Sequence, residues 1–77
     1  MALRFIGIDP NTNSGNCPAV WVDDSTRELV FQGWKPDGAM ESACAQDSPL
    51  LASEGIVRLP YRMVELIRKA CDAAEGA

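Results

Sequence analysis

Apolar residues come in short β-rich runs over the first half of the chain and recur at helical spacing over the last fifth. Leu3-Arg4-Phe5-Ile6-Gly7-Ile8 is aromatic and β-branched and is halted by Asp9-Pro10, where proline disfavours continued regular structure, so it predicts a strand. Asn11 to Asn16 is entirely small and polar, the composition of a loop whose side chains satisfy their own backbone. Ala19-Val20-Trp21-Val22 and Leu29 to Trp34 are two further β-rich runs. The polar residues Asp23 to Glu28 between them have the spacing of an antiparallel hairpin with a four-residue tip. Pro36-Asp37-Gly38 ends the sheet pattern, Ala39 to Ala45 has room for one or two helical turns, and Ser48-Pro49 interrupts them. Ile56-Val57-Arg58-Leu59 predicts a fourth strand. Pro60 closes it and suits the first turn of a helix. In that helix Met63, Val64, Ile67, Ala70, Cys71 and Ala74 form one apolar stripe with Leu66 on its shoulder, while Arg62, Glu65, Arg68, Lys69 and Asp72 lie outside it. The expected architecture is one α+β domain spanning residues 1–77, in the order β-β-β-(α)-β-α. It consists of a small antiparallel sheet of three to four strands with the C-terminal amphipathic helix on one face.

Pairing Asp23 with Glu28 sets Val22 opposite Leu29 and Val20 opposite Phe31, and puts Trp21 opposite Val30 on the other face. Both faces of the hairpin are then apolar, and one helix covers only one of them. Val20, Val22, Leu29 and Phe31 are the natural set to lie beneath the helix, which leaves Trp21, Val30 and Trp34 on the far side. Tryptophan is enriched at binding hot spots, and an uncovered apolar patch on a small protein marks an interaction surface. Trp21, Val30 and Trp34 are therefore the candidate protein-binding residues, for a partner protein or for a second copy of the chain. The competing expectation is that Pro36 to Glu54, with Met40, Leu50 and Leu51, folds across this face and buries both tryptophans.

Composition narrows the function classes. A chain of 77 residues with 47% hydrophobic and 23% charged residues has the balance of a folded protein, not a disordered one. Eleven acidic against seven basic residues give a net charge of −4, which repels phosphate-rich ligands and favours a basic protein surface over direct contact with nucleic acid. Cys17, Cys44 and Cys71 are odd in number and lack a C-x-x-C pair, so a disulfide framework is not expected and a reducing cytoplasm is the expected location. No membrane span or signal peptide is expected. No residue pattern points to a cofactor. Without histidine, the Ser-His and Cys-His nucleophile pairs cannot be assembled, so an enzyme is the less expected class.

Two local patterns carry candidate chemistry. Asp9-x-Asn11-x-Asn13 reproduces the first three oxygen-ligand positions of an EF-hand loop. Ser14 and Val20 then stand where glycine and the bidentate glutamate belong, so an Asx-rich turn is the expected use of these residues and no metal ligand is assigned. Phe5-Ile6-Gly7-Ile8-Asp9-Pro10, followed by a polar loop and a hairpin, resembles the opening of RNase-H-like and RuvC-like nucleases over residues 3–34. That resemblance implies a metal-dependent phosphoryl transfer built on Asp9. Asn11 replaces the glycine usual in that family.

Ser14-Gly15-Asn16-Cys17 leading into Val20-Trp21-Val22, with Asp37-Gly38 beyond, resembles the small BldB-like proteins of actinobacteria over residues 14–38. The resemblance implies a regulatory role beside a helix-turn-helix partner and no enzymatic activity. The leading strand and the Leu59-Pro60-Tyr61 entry to the last helix depart from that family. The expectation carried forward is a non-enzymatic interaction or accessory module, with Asp9-based phosphoryl transfer as the alternative.

Overall fold

A computed structural model describes residues 2–11 and 17–76. The strands β1 (Leu3–Ile8), β2 (Ala19–Asp23) and β3 (Glu28–Gln32) form an antiparallel sheet in the order β1-β2-β3. The helices α1 (Gly38–Asp47) and α2 (Val64–Glu75) follow, the second packed on the sheet, so the fold is α+β as expected. Of the expected polar loop, residues 12–16, including Asn13 and the Ser14-Gly15-Asn16 motif, lie outside the described residues.

The hairpin takes the register set by its polar and apolar pattern: Asp23 opposite Glu28, Val22 opposite Leu29, Trp21 opposite Val30 and Val20 opposite Phe31. Its tip is closed by a side chain. Asp23 Oδ1 accepts from the Ser25 amide at 2.9 Å and from the Ser25 hydroxyl at 2.6 Å, and Arg27 turns the chain back with φ 60°. The left-handed conformation at a residue with a side chain is strained, and the Asp23 bonds help to hold it.

Strict alternation in β1 would place Ile8 on the same face as Ile6. A bulge between Phe5 and Gly7 changes this: Phe5 pairs with Trp21 and Gly7 with Val20, so Ile6 is the extra residue. Ile6 and Gly7 therefore both face the helix, and Ile8 is returned to the outer face. Gly7 suits this position because a Cβ there would stand 2.5 Å from Leu66 Cδ2.

Val20 and Val22 form the core with Met63 and Ala70, and Ile6, Leu59, Leu66, Ile67, Ala73 and Ala74 pack around them. The chain enters α2 through a single 3-10 turn, Tyr61–Met63, that begins after Pro60. With three residues per turn this segment shifts the helical phase, so Met63 reaches the core while Val64 is exposed. The inward stripe of α2 is then Leu66, Ile67, Ala70, Ala73 and Ala74, with the buried Ala70 at its centre and Leu66 within it.

The expected fourth strand does not form. Within Ile56 to Leu59 only Arg58 pairs, in an isolated bridge to Trp34 through N–H···O bonds of 2.9 and 2.8 Å. One residue later Leu59 turns into the core and Pro60 has no amide to donate, so the ladder stops. The bridge depends on Gly33, where a Cβ would lie 2.5 Å from the Arg58 carbonyl oxygen and 2.9 Å from Leu59 Cδ2.

Gly33→Ala must displace backbone and is expected to destabilise the fold by about 1–3 kcal/mol, measured by urea unfolding. Asp23 is held below the ordinary value of 3.8, chiefly by the Ser25 hydroxyl and then by the amides of Ser25 and Thr26. A carboxylate with a depressed folded pKa contributes stability above 3.8 and loses it as the pH falls through the folded value. The stability gap between wild type and Asp23→Ala is therefore expected to be widest at neutral pH and to narrow in acid, read from unfolding midpoints across a pH series.

Candidate functional site

The outer face of the sheet is built by cross-strand pairing. Because Val20 and Val22 point beneath α2, Trp21 points away from it, and its partners Phe5 on β1 and Val30 on β3 share that side. The Phe5 and Trp21 rings meet with centroids 5.9 Å apart and planes tilted by 56°, a favourable edge-inclined arrangement. Leu3 and Ile8 extend the surface along β1. Phe5 is 59% exposed, Leu3 and Ile8 are also exposed, and Trp21 and Val30 are half-buried among their neighbours. Asp23 and Glu28, paired at the hairpin end of the same face, supply its acidic border.

The segment expected as a cover does not lie here. Helix α1 is well formed, with Asp37 Oδ1 capping the Met40 amide at 2.9 Å, yet among the described residues it packs against no other helix or strand. Of the three expected binding residues, the structure brings Trp21 and Val30 together and places Trp34 in other company. Trp34 follows β3, is bridged to Arg58, and has the Arg62 guanidinium carbon 6.0 Å from its ring centroid. Phe5, Leu3 and Ile8 complete the face and were missed by pattern reading. Gly7 within a strand was the available signal, since an internal glycine often marks a bulge.

A second cluster lies where β1 ends. Asp9 is buried at 2% exposure, and its carboxylate accepts from Arg62 Nε at 2.8 Å and Arg62 Nη2 at 2.6 Å. Asp9 Oδ1 also accepts from the Asn11 amide at 3.0 Å, the Asx turn expected of this residue. Arg62 has its guanidinium held further in the charged form by the Asp9 hydrogen bonds. The pair is a bidentate, charge-assisted tie between the end of β1 and the entry to α2. Among the described residues no group of three or more acidic, cysteine or histidine side chains is placed to hold a metal ion. Cys17, Cys44 and Cys71 are all half-buried.

No helix among the described residues is long and apolar enough to cross a membrane. No protein-family model, curated protein or solved structure matches the chain, so its function is read from its own residues.

The two ends of the Asp9–Arg62 pair differ in solvation: the aspartate side chain is at 0% exposure and the arginine side chain at 41%. Arg62→Gln strands a buried carboxylate without its cation, whereas Asp9→Asn leaves a guanidinium that water can solvate. Arg62→Gln is therefore expected to lower the denaturant midpoint more than Asp9→Asn does.

Proposed function

We propose that this chain is a non-enzymatic protein-interaction module that docks through the outer face of its sheet. Phe5, Trp21 and Val30 form the centre of the surface, with Leu3 and Ile8 beside them. It acts as an accessory or regulatory factor by occupying the surface of a partner protein or of a second copy. The observation that carries this reading is the apolar face itself: an aromatic pair flanked by exposed aliphatic residues on a sheet whose only packed helix, among the described residues, lies on the opposite side. Such a patch on a small domain favours association, and aromatic residues at its centre suit an interface hot spot. The acidic border formed by Asp23 and Glu28 repels phosphate-rich ligands, which favours a protein over nucleic acid as the occupant.

Phe5→Ser tests the surface with little disturbance to the core, because the side chain is 59% exposed. It is expected to change folding stability by less than about 1 kcal/mol while abolishing association, read both as self-association and as capture of a protein from cell extract. Association equal to wild type in both measurements overturns the assignment of this face.

A further inference from the structure

Besides the outer sheet face, the excursion between Trp34 and Arg58 also carries apolar surface without a neighbour. Its two ends are fastened by the Trp34–Arg58 bridge, reinforced by Arg58 Nη2 donating to the Lys35 carbonyl at 3.4 Å. Beyond that fastening, residues 36–57 form an arm. Among the described residues its helix α1 packs against no other helix or strand, and Met40, Leu50, Leu51 and Val57 are exposed, Leu51 at 63%. A helix of ten residues is shorter than the roughly 12–15 at which isolated helices become even marginally stable in water. The arm therefore needs a surface to pack on.

The size of the molecule shows how much surface is left over. A compact monomer of 8.3 kDa exposes about 4,600 Å², whereas this chain exposes 5705 Å². Its radius of gyration is 13.7 Å, against about 11.5 Å for a compact domain of this length. The excess area, about 1,100 Å², exceeds the roughly 800 Å² that each partner buries in a standard interface.

Charge is divided in the same way. Asp37, Glu41, Asp47 and Glu54 fall within residues 36–57, where there is no lysine or arginine, and the seven remaining acidic residues balance the seven basic ones. The body of sheet and α2 is thus neutral, and the arm carries the whole net charge. Two bodies approach without net repulsion, while two arms repel each other, which favours arrangements that keep the two arms apart.

We propose that the two open surfaces satisfy each other between copies. The arm of one chain, residues 36–57, lies on the outer sheet face of a second, and the second returns its own arm to the first. The result is a closed, two-fold arm-exchanged homodimer in which the same contact occurs twice. The inference rests on the outer face being the docking surface and names its occupant.

Sedimentation of the full chain, with each variant first shown to unfold as cooperatively as wild type, tests the arrangement. Wild type is expected to be a dimer. Phe5→Ser on the face and the double variant Leu50→Ser/Leu51→Ser on the arm are each expected to weaken it more than tenfold. Mixing the two variants restores one intact arm-on-face contact and is expected to yield a heterodimer that neither forms alone. A wild type that stays monomeric at all concentrations overturns the homodimer. A dimer sensitive to Phe5→Ser but indifferent to the arm variant overturns arm exchange and leaves the docking face standing. A dimer sensitive to the arm variant but indifferent to Phe5→Ser overturns the face as the arm's seat.

Discussion

Val20 and Val22 beneath Met63, Leu66, Ile67 and Ala70 form the packed contact on which the fold rests, and it is a narrow one. A twelve-residue helix is about 18 Å long and covers a single strip of sheet. Leu29 and Phe31 share the covered face through their pairing with Val22 and Val20, yet both stay exposed. With so little apolar burial, the ends of the helix are secured by polar ties. Arg62, at its entry, reaches back to Asp9 at the end of β1. Arg4, on β1, donates to the Ala73 carbonyl near the helix exit at 3.4 Å and to both carboxylate oxygens of Asp24 at the hairpin tip. The two arginines act in opposite directions, one from helix to sheet and the other from sheet to helix.

The same economy explains the open face. A sheet of three short strands has two faces to cover, and the described residues supply only one helix that packs on it. The bulge at Ile6 and Gly7 enlarges the uncovered side. By returning Ile8 outward it puts three apolar residues of β1 on the same surface as Trp21 and Val30. The site is therefore a consequence of how one glycine lets Leu66 approach, as much as of the aromatic residues that form it.

Much of this was legible in the residues. The hairpin register follows from the period-two pattern and its polar tip, and the structure reproduces every pair expected from Asp23 opposite Glu28. The C-terminal helix was legible because its stripe repeats over three turns, although the 3-10 turn at Tyr61 brought Leu66 into the stripe and left Val64 exposed. Non-local features were not legible. The run Ile56 to Leu59 has the composition of a strand, but whether it pairs depends on what lies beside it, and only Arg58 finds a partner. The place of Trp34 depends on Arg62, twenty-eight positions away, and the Asp9–Arg62 pair joins residues fifty-three positions apart. Local periodicity carries no information at that range, so the outer face was seen as a hairpin alone and its β1 half was missed.

The fastening at Trp34 and Arg58 divides the chain into two parts that answer to different constraints. Seen from the body, the whole arm is a junction of two backbone hydrogen bonds and a glycine. Lengthening or rewriting the segment behind such a junction changes only the entropy of closing a loop, about 0.6 kcal/mol for a doubling of length. Substitutions in Val20 or Met63 are tested against the core each time the chain folds, whereas those in residues 36–57 leave the core untouched. The body is thus held residue by residue to one packing, while the arm is free to diverge without the core having to be rebuilt.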